Sequence, residues 1–578
     1  MRARRRSSRA PWLLLAAVVL LLVGGAALVY ARSGGSVSPD VGLIVPTAVL
    51  PAIPAPLRPL FETATVEVPA PGGVYIEATV GRPNLINPVL ARSAGVERDL
   101  AVLVFSGLTK LDPRGEIVPD LASRIEPAAD GRSYTAVLRS DARWHDGRPV
   151  TPADVVFTFR FIRHAQFPGD PNLATFWRTV RLEEAGADTV RFHLNQPYAP
   201  FPEQLTIGLL PAHILGSVPP AELARHAFNA SPIGTGPFRV RSASVQQIEL
   251  EAVTGADGRQ PLLEKIVLRF FPTDRAALSA LTDGSIQGVR SVPSSELANL
   301  TSSSRVKQHG ATDYTKTITL LLNLERDLFK DKTVRQAIAE AVDRTKVIQT
   351  TLQGNGEPAT GPIPASSWAY QQQSAERRLD RARELLERAN WRVGANGRTR
   401  ERDGKPLRFT LVTNDRSERE DVVRELAGEL SEAGFEVETR VLPWETLYRD
   451  HLAARSFDAA LVEQWLPVVD PDPYAFWHST QIREGLNFGG WNNPRADELL
   501  VAGRAALNRP DRQRAYEQIQ VLFADERPAV PLYHPRYTFA VDANLKGITI
   551  PALFEPADRF RNFADWYLNT QRVPKKDS

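Results

Sequence analysis

The chain has 578 residues, far more than one hydrophobic core serves, so two or three domains are expected. Its 43% hydrophobic and 24% charged content is that of a globular protein. A net charge of +3, with no interior basic patch interleaved with aromatics, argues against a nucleic-acid surface.

Cysteine is absent, which removes disulfides, thiolate nucleophiles and cysteine-ligated metal sites. An exported chain of this size can bury enough surface to stand without disulfides. Arg2, Arg4, Arg5, Arg6 and Arg9 precede an uncharged Leu/Val/Ala-rich run at 11–31. At about 20 residues the run spans a bilayer core, and the arginines favour a cytoplasmic N-terminus with the remainder outside. Residues 1–32 are therefore expected to be a signal or membrane anchor. Ala26-Ala27 and Ser33-Gly34-Gly35 leave cleavage open, while the length favours retention. Residues 33–72, with prolines at 39, 46, 51, 54, 56 and 59, read as an extended tether.

From there short β-like segments alternate with amphipathic helices, a mixed α/β pattern. Residues 74–80 form the first strand, with Val74, Ile76, Ala78 and Val80 on one face and Tyr75, Glu77 and Thr79 on the other. Trp144-His145-Asp146-Gly147 looks at first like an active-site cluster. Asp146-Gly147 is a turn signal, however, Thr151 is a good N-cap, Pro152 a good first helical residue, and Asp154 adds charge to the first turn. The stretch reads as a strand, a sharp turn and a capped helix. His145, His164 and His193 are not at metal-ligand spacing. No nucleophile elbow, zinc-protease helix, phosphate loop or dinucleotide fingerprint occurs, so neither an enzyme nor a cofactor or metal site is expected.

Residues 317–322 are a nearly continuous apolar run, as in a buried central strand. Helices are expected at 331–347, 379–389 and 418–433, the last closed by Gly434, and strands at 407–412, 435–441 and 459–464. Pro443-Trp444-Glu445 follows one strand. Trp465 closes another and opens a proline-rich loop that runs to Tyr474.

Several motifs fall in one order along the chain. Asn84-Leu85-Ile86-Asn87-Pro88 and Val104-Phe105-Ser106-Gly107-Leu108-Thr109 come before the Trp144 segment. Gly234-Thr235-Gly236-Pro237-Phe238, Val334-Arg335-Gln336-Ala337-Ile338 and Asn487-Phe488-Gly489-Gly490-Trp491 come after it. From about residue 75 to about 570 the ordered set resembles the peptide- and nickel-type extracellular solute-binding proteins of ABC importers. The resemblance implies an α/β, two-lobed periplasmic-binding-protein-like fold with a hinge and an interlobe cleft. Lobe I would span 73–312, lobe II 313–527, and 528–578 would return to lobe I. Crossings near 310–320 and 525–535 would make the hinge that lets the lobes close on a ligand.

In peptide-binding members of that family, similar tryptophans line the cleft, and an Asp shortly after the second pairs with the ligand's α-amino group. The resemblance thus implies ligand-binding roles for Trp444 and Trp465, with core packing as the other reading of each. The position about three residues after Trp465 is Val468. Asp470, the nearest acid, either pairs with an amine or shapes the Asp-Pro turn, and Glu463 is a second possible amine partner. Tyr533 either faces the cleft or staples the lobes. Trp368 and Tyr370 lie where relatives place a loop near the cleft mouth. The expected protein is an extracytoplasmic, membrane-tethered monomer, at the cell surface or in the periplasm. It would capture a peptide-like solute for an ABC permease. The alternatives are a binding protein of the same fold for an oligosaccharide, an opine or a metal chelate, or a ligand sensor without an importer.

Overall fold

Strand Ala529–Asp542 organises the molecule, because its two halves belong to different layers. Its first half pairs antiparallel with Lys316–Leu322, and its second half pairs with Val306–Thr312 and Gly288–Val289. The computed structural model describes residues 65–91, 95–255, 258–301, 303–466, 470–550 and 555–574. Residues 69–570 make one compact body. The expected anchor at 1–32 and most of the expected tether lie outside the described residues. The end of the tether segment is ordered instead as strand Thr65–Ala70, which pairs with Asn569–Pro574. Among the described residues no helix is long and apolar enough to cross a membrane.

One sheet runs through the body in the order Glu436–Leu442, Arg408–Asn414, Ala459–Trp465, Lys316–Leu322, Ala529–Asp542, Gly288–Val289, Val74–Val80, Lys265–Phe271, Gln247–Ala252 and Phe238–Ala243. On one side of Ala529–Asp542 the apolar cores draw on residues 318–533. They include Leu320, Leu411, Leu461 and Leu532 on one sheet face and Val412, Ala460, Phe523 and Ala529 on the other. On the opposite side, the largest core draws on residues 75–268 and 537–566. These are the two lobes. A separate four-stranded antiparallel sheet, Ala122–Pro127, Ser133–Leu138, Thr189–His193 and Arg181–Glu184, belongs to the first.

The chain passes between lobes at two adjacent places. Val306–Thr312 and Lys316–Leu322 are joined through 313–315, and Ala529–Asp542 passes through His534, Pro535 and Arg536. Asp313 N donates to Pro535 O (2.8 Å), and the buried His534 ring meets Lys316 O through Nδ1 (2.9 Å). The two crossings are thus stitched to each other.

Local departures from expectation have physical causes. Val74–Val80 has parallel partners on both sides, Lys265–Phe271 and Gly288–Val289, and its more polar face is the deeper one. Tyr75 and Glu77 are both 0% exposed, because Arg559 and the Tyr75 hydroxyl donate to the Glu77 carboxylate. Arg559 also grips Asp99, which in turn pairs with Arg290, so a buried four-residue charge network fastens the returning chain to lobe I. The expected helix at 331–347 breaks in two, Lys332–Ala341 and Arg344–Leu352. Asp343 interrupts it and caps the second helix by accepting from Lys346 N.

The Trp144 segment forms the expected turn and capped helix. Gly147 takes φ +86°, and Thr151 and Asp154 close a capping box over Pro152–Ile162. His145 is held by Gly236 O at Nε2 and by Gly234 N at Nδ1, so it fastens a loop.

Candidate ligand-binding site

In open α/β sheets ligands bind beyond the carboxyl ends of the strands. In lobe II that edge is set by Arg408–Asn414, parallel to both Glu436–Leu442 and Ala459–Trp465. Helix Ser417–Ala433 begins there, and Trp444 and Trp465 stand at the ends of their strands. Trp465 is half-buried beside the crossing: it is in register with Lys316, and Leu466 N donates to Thr315 O (2.8 Å). Trp444 is 51% exposed and packs on Tyr448 with ring centroids 5.8 Å apart. Both tryptophans reach the strand edge, one beside the hinge and one on the open rim.

The two candidate acids carry internal partners. Glu463 shares a sheet face with Ile318, its register partner, and with Tyr533 on the next strand beyond, and that face is the one whose core includes residues of helix Ser417–Ala433. Arg419, 2% exposed on the first turn of that helix, donates from Nη2 to Glu463 Oε2 (3.0 Å), and Arg416 lies 3.8 Å from the same oxygen. Asp470 makes a two-pronged pair with Arg512, whose Nη1 donates to Oδ2 at 2.6 Å and whose Nη2 donates to Oδ1. Its backbone N–H donates to Glu203 Oε2 of lobe I (3.0 Å). Val468 lies outside the described residues.

Tyr533 is 2% exposed within the lobe II core, and burial pushes its phenol up to about 12. It does not present a face to open space. Trp368 is half-buried over the guanidinium groups of Arg509 (5.0 Å) and Arg512 (5.2 Å), and so belongs to the group that holds Asp470. Tyr370 lies near the Thr360 hydroxyl (3.4 Å). The predicted residues therefore fall into three places: Glu463, Trp465 and Tyr533 near the crossings, Asp470 and Trp368 around Arg512, and Trp444 alone on the rim. Arg419 and Arg512 were missed by sequence reasoning. Each lies more than forty residues from its acid, with helical spacing that reads as surface charge. Among the described residues no group of three or more acids and histidines is placed to hold a metal.

Residues 116–484 match the profile of the bacterial extracellular solute-binding proteins, family 5. The oligopeptide-binding protein AppA of Bacillus subtilis is 30% identical over 510 residues, which cover 86% of this chain and 92% of that protein. The chain belongs to this family of solute-binding proteins. Protein XP55 of Streptomyces lividans is 30% identical over 472 residues, covering 79% of this chain and 81% of that one. A solved structure of AppA from Bacillus subtilis in complex with a nonapeptide is 29% identical and superposes with a TM-score of 0.66. That superposition covers 87% of this chain and all of the AppA chain. Membership accounts for the two lobes and the paired crossings.

Proposed function

We propose that this protein captures a peptide-like solute outside the cytoplasmic membrane by closing its lobes and delivers it to the permease of an ABC importer. It acts as a monomer held at the membrane by residues 11–31. The observation that carries the reading is the kinship over 92% of an oligopeptide-binding protein. The lobe arrangement is in keeping with it, because two stitched crossings give a hinge and leave the strand edges to meet across a cleft. Trp465 and Trp444 supply the aromatic wall in this reading, and backbone groups supply hydrogen bonds that do not depend on side-chain sequence. Glu463 and Asp470 each already hold an arginine, which supports a ligand gripped by its backbone and apolar surface more than by a free amine.

The test is a thermal-shift and calorimetric screen of the purified full chain against peptides of graded length, each free and N-acetylated, with oligosaccharides, opines and metal chelates alongside. Peptides should raise the melting temperature, since ligand at a hundred times its Kd adds about 2.7 kcal/mol of stability. A shift produced only by one of the other classes would overturn the peptide assignment. For the anchor, intact-mass measurement of the membrane fraction should find residues 11–31 still attached; a chain starting after Ala31 would refute it.

A further inference from the structure

The lobes are joined by chain at two crossings, and a third link between them is made without any chain crossing, by side chains and backbone hydrogen bonds. Tyr198 belongs to the lobe I core, with its ring 5.6 Å from Phe176, yet its hydroxyl donates to Asp472 Oδ2 of lobe II (3.3 Å). Arg504 Nε lies 3.1 Å from the same Asp472 oxygen. The Arg504 guanidinium sits 5.0 Å from the Tyr198 ring centroid and 4.2 Å from that of Tyr474, so it lies against one ring from each lobe. Its carbonyl accepts from Ala199 N (2.7 Å). Beside it, Glu203 of lobe I takes the backbone N–H of Asp470, whose carboxylate is fixed by Arg512. Tyr198, Glu203 and Asp472 are each 8% exposed, so the contacts are drained of water rather than spread over a wet surface.

We infer that Arg504 and Asp472, closed over Tyr198, form a clasp that favours the lobe-closed state and sets ligand affinity without touching ligand. These are positioning residues. The Arg504–Asp472 pair lies within lobe II, and Tyr198 and Ala199 reach it only when the lobes meet, so the clasp closes with the lobes and releases once they part. The affinity part of the inference rests on the ligand-capture reading; the closure part does not.

The chain contains no cysteine, so spin labels can be placed at will. Arg124→Cys marks the four-stranded sheet of lobe I, and the exposed Val521→Cys marks lobe II. Pulsed dipolar distances in the full chain would be measured without peptide and with a tryptic digest of casein, for wild type, Arg504→Ala and Arg504→Lys. Without peptide, Arg504→Ala should shift the population to longer distances. Arg504→Lys, which keeps the charge facing Asp472 but loses the flat stacking surface, should shift it part of the way. The digest should return both variants to the short distance at concentrations about tenfold above wild type, a change worth about 1.4 kcal/mol. Identical peptide-free distances in wild type and both variants would overturn the clasp. A digest that moves neither the distance nor the melting temperature of wild type would overturn the peptide reading and the affinity claim, and the peptide-free comparison would still decide the closure claim.

Discussion

Glu429 gives the sharpest quantitative test of this structure. It lies on helix Ser417–Ala433 and is 1% exposed. One carboxylate oxygen accepts from Asp343 N (2.9 Å), while the other is buried without a partner. Burial is the dominant influence, and it lifts the carboxyl from 4.5 to about 7. Between those two values the folded state holds a proton that the unfolded chain has released, so stability falls as pH rises through the window. At about 1.36 kcal/mol per unit, the cost reaches roughly 3 kcal/mol above pH 7 and vanishes below 4.5. Glu429→Gln retains the acceptor for Asp343 N and removes the charge, leaving only a buried N–H to satisfy at a cost of about 1–2 kcal/mol. Urea unfolding followed by tryptophan fluorescence should find the variant more stable than wild type by about 1–2 kcal/mol at pH 8. The order should narrow or reverse at pH 5. A pH-independent difference, or a variant weaker at pH 8, would refute the claim that an under-bonded carboxylate is buried there.

Three further outcomes are expected. Trp465→Ala should weaken binding of a confirmed peptide by about 1–3 kcal/mol, the range for a buried aromatic contact, and calorimetry reads it directly; an unchanged Kd would remove Trp465 from the wall. Arg559→Ala leaves Glu77 and Asp99 buried with less than their full set of donors and should cost about 3–5 kcal/mol. Replacing Glu77, Asp99 and Arg559 together by apolar residues should cost far less; equal losses in denaturant midpoint would contradict this account of the network. Small-angle scattering should show the radius of gyration shrinking when a confirmed ligand saturates the protein, and an unchanged radius would count against closure about the crossings.

How much of this was legible beforehand varies with the range of the interaction. Val74–Val80 and the Pro152–Ile162 cap could be located from the sequence, because alternation, a turn glycine and an N-cap are local signals. The central crossing run at 317–322 announced itself by unbroken apolarity. Which face of Val74–Val80 would lie deepest could not be seen, since Glu77 depends on Arg559, 482 residues away. The break at Asp343 was masked by apolar residues that continue the helical spacing across it. At the candidate site the placement of both tryptophans at strand ends could be read from the sequence, but the state of each acid could not. Whether Asp470 is open or occupied is decided by one arginine on a helix face that looks like ordinary surface.

The position of Ala529–Asp542 in the sheet has a consequence for how the protein is made. Among the described residues it is the strand that joins Lys316–Leu322 on one side to Gly288–Val289 on the other, yet it follows Val74–Val80 by more than 440 residues in the chain. Until it emerges, each half-sheet has an unpaired edge at its middle, facing the other across an empty lane. Contacts of such long sequence separation form late and slowly. A chain released stepwise through a membrane would therefore hold the lobe I half-sheet with a sticky edge from about residue 290 onward, and both half-finished sheets once residue 465 has emerged. Its yield should respond to whatever shields those edges, a holding chaperone or a rapid finish to translocation, more than to the stability of the completed fold.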